Sequence, residues 1–160
     1  MKQAQFRWQR LSRRQQMIMT WWTPGSPYAE NDGIVADGAI RSGKTISMGF
    51  SFVMWAMECF DGQNFAMCGK TIQSLRRNVI ITLKVQLINR GYAVVEKKAE
   101  SLMYVTKGTV TNTFYLFGGN DERSQDLIQG FTAAGAFFDE VALMPESFVN
   151  QATGRCSVEG

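Results

Sequence analysis

The chain has 160 residues, 45% hydrophobic and 19% charged, with a formal net charge of +3. That suffices for one domain with a core of its own, and the charge is too small to demand a nucleic-acid partner. With no histidine, and with Cys59, Cys68 and Cys156 forming no C-x-x-C pair, the composition argues against a zinc site of the usual ligand types.

The thiols read as reduced and mostly buried, as in an intracellular protein. No apolar run is long enough to cross a bilayer and the N-terminus carries no signal-peptide core, so the expected location is cytoplasmic, with no membrane partner. Lys2, Arg7, Arg10, Arg13 and Arg14 all precede the first acidic residue, Glu30. Such an arm fits contact with a polyanion or a solvated helix face equally well.

In chain order, Ser12 opens a helix running to about Trp21, with Leu11, Gln15, Ile18, Met19 and Trp22 near helical spacing. Thr23-Pro24-Gly25-Ser26-Pro27 breaks it, and Asn31-Asp32-Gly33 turns the chain into a buried strand from Ile34 to Asp37. Gly38-Ala39-Ile40-Arg41-Ser42-Gly43-Lys44-Thr45 follows and fits the phosphate-loop pattern G-x-x-x-x-G-K-[ST] at every fixed position. Gly38 and Gly43 let the backbone turn tightly and aim its N–H groups at a polyphosphate. Lys44 would reach the β- and γ-phosphates, and the Thr45 hydroxyl would take a place on Mg²⁺. A helix starting near Lys44 would point its positive dipole end at the same anion.

Ile46 to Phe60 is apolar almost all round, as expected of a helix buried against a sheet. Phe65-Ala66-Met67-Cys68 reads as a second buried strand. Its sequel Gly69-Lys70-Thr71 imitates the end of a phosphate loop, but Asn64 stands where the first glycine is required, which rules out a second site of that kind. Ile72 to Asn89 reads as an amphipathic helix whose Arg76, Arg77 and Lys84 form either a solvated face or a DNA contact. From Tyr92 to Phe117 the pattern alternates, giving three strands with a hairpin at Thr106-Lys107-Gly108-Thr109. A polar loop from Gly118 to Gln125 leads into a short helical or irregular piece ending near Gly130.

Ala134-Gly135-Ala136-Phe137-Phe138-Asp139-Glu140 is an apolar strand ending in two acids, the form of a Walker B motif. Asp139 would hold Mg²⁺ through water, and Glu140 would orient or deprotonate the attacking water. An apolar strand with an acidic end is common in itself; the phosphate loop upstream gives it meaning. Pro145-Glu146 opens a last helix, to about Gln151.

Strands separated by helices imply an α/β P-loop NTPase with a mostly parallel sheet flanked by helices. The chain between the two Walker motifs holds extra strands, which points to the RecA-like class with an adjacent catalytic Glu. An inserted β-hairpin is expected at one sheet edge. The expected division is residues 1–32 as a basic helix and base-side segment and residues 33–160 as an ATPase core. No γ-phosphate-sensing motif follows Glu140, so the core is expected to be incomplete at its C-terminus.

Several stretches together resemble the N-terminal ATPase region of phage terminase large subunits, particularly those of PBSX-like prophages. They are Thr20-Trp-Trp-Thr-Pro-Gly-Ser-Pro-Tyr28, Asp37 to Thr45, Cys68-Gly-Lys-Thr71 and Phe138-Asp-Glu-Val-Ala-Leu-Met-Pro-Glu-Ser-Phe148. The resemblance implies an ATP- and Mg²⁺-dependent motor that drives double-stranded DNA into a procapsid. It also implies a ring on the portal protein, a small terminase subunit that delivers DNA, and a separate nuclease domain, for which this chain has no acid cluster. It assigns phosphate and metal contacts to Gly38, Gly43, Lys44 and Thr45, with Ala39, Ile40 and Ser42 completing the loop. Arg41 resembles the γ-phosphate-sensing arginine, Gln15 the glutamine that reads adenine, and Asp139 and Glu140 the Walker B pair. No arginine stands near Gln129-Gly130, where some relatives carry one that acts on a neighbour's ATP; Arg123 is the nearest substitute. The rival readings are a helicase-like DNA-dependent NTPase and a nucleotide-binding fragment without turnover.

Overall fold

A computed structural model describes residues 10–37 and 43–158. Helix α1 (Arg13–Thr20) begins at a reciprocal cap: Ser12 Oγ accepts the Gln15 N–H at 3.3 Å, and Gln15 Oε1 accepts the Ser12 N–H at 2.9 Å. Two otherwise orphaned donors are thereby satisfied. Helix α2 (Lys44–Cys59) starts at the phosphate-loop lysine and is followed by strand β1 (Asn64–Gly69).

The amphipathic stretch after β1 is one helical rod in three pieces: α3 (Ile72–Leu75), a π turn (Arg76–Ile80) and α4 (Ile81–Ile88). Thr71 caps it, its hydroxyl accepting the Ser74 N–H at 3.1 Å. The phosphate-loop look-alike thus serves as a helix start. Strands β2 (Ala93–Lys97), β3 (Leu102–Lys107) and β4 (Val110–Gly118) follow, then α5 (Glu122–Gln129), β5 (Gly135–Phe138), a 3₁₀ turn (Val141–Leu143) and α6 (Glu146–Gly154).

Among the described residues the sheet has five strands in the order β2-β3-β4-β1-β5. β1 pairs in parallel with both β4 and β5, and β3 is antiparallel to β2 and β4. Four strands therefore run one way and only β3 is reversed. The expected mostly parallel α/β sheet is present, with one refinement. The β3–β4 hairpin is not wholly peripheral, because β4 is itself the middle strand of the five.

Alternate residues of the central strands feed two cores. Phe65 and Met67 of β1, Phe114 and Leu116 of β4, and Phe137 of β5 join α2 and α4 on one face. Ala66, Cys68, Phe117 and Phe138 join α5 and α6 on the other. Period-two alternation into two apolar layers is what a sheet covered by helices requires. Close approach is built into β5, where a Cβ at Gly135 would lie 2.7 Å from the Trp55 ring of α2. Asn112 of β4 is fully buried and ties the layers: its Nδ2 donates to the carbonyls of Ala56 and Phe60, and its Oδ1 accepts the Gln63 N–H.

The expected strand from Ile34 to Asp37 does not form. Those residues pair with no strand among the described ones, and Val35 is 89% exposed. A strand exists only through a neighbour, and apolar content alone supplies none.

The π turn has a specific consequence. Arg76 Nε lies 3.1 Å and Lys84 Nζ 2.8 Å from the two carboxylate oxygens of Glu96 on β2. At about 100° per residue, eight α-helical residues would leave these cations about 80° apart. The π turn absorbs one residue and returns them to one face. Of the three cations on this rod, two are therefore paired with a carboxylate that is itself largely buried, and only Arg77 is exposed. Burial pushes the Glu96 pKa up, but the hydrogen bonds and charges of Lys84 and Arg76 outweigh it and hold the carboxyl below its usual value. The resulting stabilisation is present above the ordinary glutamate range and is lost as pH falls through the lowered pKa. Glu96→Gln should cost about 1–3 kcal/mol in chemical denaturation at pH 7. The gap to the wild type should close on acidification.

Candidate nucleotide site

Three parallel strands, β4, β1 and β5, end side by side at Gly118, Gly69 and Phe138. The ladder extends one residue further, where the Asp139 N–H donates to the Cys68 carbonyl at 2.8 Å. In α/β proteins the carboxyl ends of such strands form the binding crevice. Asp139 is delivered there by β5, and α2 begins beside it.

Thr45, the second residue of α2, donates its hydroxyl to Asp139 Oδ1 at 3.0 Å across 94 residues of sequence. Asp139 is only 7% exposed. Burial raises its pKa, the Thr45 hydrogen bond opposes that, and the neighbouring Glu140 charge adds to the rise. The two oxygens suit a hard cation of the Mg²⁺ type, which takes one or two protein ligands and completes its shell with phosphates and water. Among the described residues no group of three or more His, Cys, Asp or Glu converges to hold a metal unaided.

Glu140 is exposed and sits in the left-handed region, at φ 54° and ψ 53°. This conformation costs a non-glycine residue about 1–2 kcal/mol. It starts the 3₁₀ turn, and its carbonyl accepts the Leu143 N–H at 2.9 Å. The chain therefore turns sharply after Asp139, with Asp139 buried and Glu140 exposed.

Gly43 is also left-handed, at φ 75°, and a Cβ there would meet Gln15 Nε2 at 2.9 Å. Gln15 of α1 is thus brought against the end of the loop, while Lys44 opens α2 half-buried. Gly38, Ala39, Ile40, Arg41 and Ser42 lie outside the described residues. Gln15, Gly43, Lys44, Thr45, Asp139 and Glu140 are those placed around the start of α2 and the end of β5. Arg123 stands exposed on α5. A groove of about 540 Å³ lined by Arg13, Met17, Thr20, Pro24 and Tyr28 opens on the side of α1 turned away from Gln15, apart from the Thr45–Asp139 pair.

Residues 36–155 match the family model for the terminase large subunit, T4likevirus-type, N-terminal. The chain belongs to the terminase large subunit family. It is similar to the large terminase of a thermophilic bacteriophage, with 61% identity and a TM-score of 0.93, over 95% of this chain and 37% of that one. Structures of that terminase with ADP and with ATP-γ-S match at 60% and 58% identity and TM-scores of 0.88 and 0.87, each over 93% of this chain and 36% of that one. The chain thus spans little more than a third of the length of these relatives. The large terminase ATPase domain of Thermus phage P74-26, at 16% identity and TM-score 0.52 over 71% of this chain and 50% of that one, shares the fold. No curated protein matches the chain.

One contact escaped sequence reasoning. The Ser51 hydroxyl of α2, 1% exposed, accepts the Trp22 indole N–H at 3.2 Å and donates to the Ile18 carbonyl at 2.7 Å. Its signal was a small polar residue in a mostly apolar helix, a feature it shares with the equally buried Ser47.

Because Asp139 has a raised pKa in the folded state, its contribution to stability is greatest below the unfolded carboxylate pKa and falls as pH rises through the folded one. Asp139→Asn should therefore raise the melting temperature of the ligand-free protein at neutral pH. The gain should shrink as pH enters the carboxylate range.

Proposed function

We propose that this terminase chain is the ATP-binding and ATP-hydrolysing part of a viral DNA-packaging motor. The observation that carries the reading is the Thr45–Asp139 hydrogen bond, which joins the two Walker motifs at the carboxyl ends of parallel strands. The nucleotide complexes of the thermophilic phage relative support it.

In this reading the loop from Gly38 through Ala39, Ile40, Arg41 and Ser42 to Gly43 wraps the phosphates with its N–H groups. Lys44 neutralises the β- and γ-phosphates, and Arg41 senses the γ-phosphate. Thr45 and Asp139 would hold Mg²⁺, directly and through water; the ion, when bound, offsets charge building on the phosphate oxygens. Glu140 accepts a proton from the attacking water as its oxygen bonds to the γ-phosphorus and ADP leaves. Asp139 is buried and Glu140 exposed, which supports giving the two acids different atoms to serve. Gln15 reads the base.

Double-stranded DNA, a portal protein, a small terminase subunit and further copies of the chain in a ring are the partners that follow from this role. Nuclease activity is not assigned to this chain.

Two variants test the site. Lys44→Ala should weaken ATP binding at least tenfold by calorimetry, a loss on the order of 1.4 kcal/mol or more. Glu140→Gln should retain ATP affinity while hydrolysis falls about 10²–10⁴-fold, the usual worth of a positioned base. Unchanged affinity in Lys44→Ala would remove the phosphate-loop reading. Hydrolysis equal in wild type and Glu140→Gln would remove Glu140 from the chemistry.

A further inference from the structure

The N-terminal helix is held to the phosphate-loop helix by a clasp that the nucleotide chemistry does not itself require. Gln15, Ile18 and Trp22 follow one another at spacings of three and four, so they line one side of the turns from α1 into its C-terminal end. Gln15 meets Gly43 at the start of α2. Two turns further along α2, the buried Ser51 hydroxyl grips the other end of α1 through the Trp22 indole and the Ile18 carbonyl. A serine hydroxyl has one donor and two acceptor sites, and here one bond of each kind reaches into the same neighbouring segment. The bonds fix both the rotation of α1 and its slide along α2, which nondirectional apolar packing alone would leave adjustable.

The side-chain amide of Gln15 is fixed in turn by the cap, where its Oε1 accepts the Ser12 N–H. Its position against Gly43 therefore depends on where the clasp places α1. An amide carries donors and an oxygen with two lone pairs, of which the Ser12 N–H takes one. The N6/N7 edge of adenine presents the matching donor and acceptor, whereas the O6/N7 edge of guanine presents two acceptors. Phosphate contacts, by contrast, come from the loop and α2, and do not pass through α1.

We propose that Trp22 and Ser51 are positioning residues for base selection: they hold Gln15 at the height along α2 where it can read adenine. The proposal rests on the nucleotide reading of the site and adds to it the source of its selectivity. Trp22→Phe removes the donor and keeps a smaller aromatic ring; Ser51→Ala removes the hydroxyl and with it both bonds to the α1 segment.

The test titrates wild type, Trp22→Phe and Ser51→Ala with ATP, GTP and inorganic tripolyphosphate, all with Mg²⁺, alongside melting curves. Wild type should prefer ATP over GTP. In both variants ATP affinity should fall three- to tenfold and approach that for GTP, while tripolyphosphate affinity stays within twofold of wild type. An ATP-over-GTP preference unchanged in the folded variants would overturn the clasp. So would an equal loss for all three ligands that tracks a lowered melting temperature, since that marks a general structural role. If wild type binds none of the three, the nucleotide reading itself falls, and the clasp with it.

Discussion

The structure depends on β1 being a strand with neighbours on both edges and helices on both faces. Its apolar residues can be buried only if successive side chains enter different cores, and Phe65 and Met67 on one side and Ala66 and Cys68 on the other do so. Parallel pairing with β4 and β5 then forces three strand ends to one side of the sheet. The short ladder through Asp139 N–H and the Cys68 carbonyl carries the acidic pair to the start of α2. The site is a by-product of satisfying the backbone and the apolar pattern of one central strand.

Within that frame the approach of Thr45 to Asp139 was legible, because both motifs are read from residue identity at fixed spacing. Most helices were legible too, since caps and breakers announce them: Ser12 and Thr71 both close reciprocal caps, and Pro145 stands just before α6. What escaped depended on partners distant in the chain. Ile34 to Asp37 has strand composition and lacks a pairing neighbour among the described residues. The π turn and the role of Glu96 could not be read from Ile72 to Asn89, because the acid that selects the helical register lies on β2. Arg76 and Lys84 looked like a basic face and instead face a carboxylate.

The site carries local costs that the surrounding fold has to offset. Asp139 holds a charge where burial and Glu140 both oppose it, and Glu140 occupies a backbone region that side chains disfavour. Neither feature helps the ligand-free protein. In the proposed role both would become useful once a cation and a polyphosphate occupy the crevice, the first as a ligand and the second as the start of the turn that carries the base. Unfavourable local choices beside a well-satisfied core, such as the one around Asn112, are expected where function competes with stability.

The π turn has a consequence for how this helix can vary in length. One residue in Arg76–Ile80 exists only to wind the rod wide, so its removal would restore an ordinary helix in which positions that now lie eight apart lie seven apart. Both cations would still face β2. A homologue shorter by one residue in this stretch could thus keep the same interface with Glu96, and an alignment gap there would mark a change of winding rather than a lost contact.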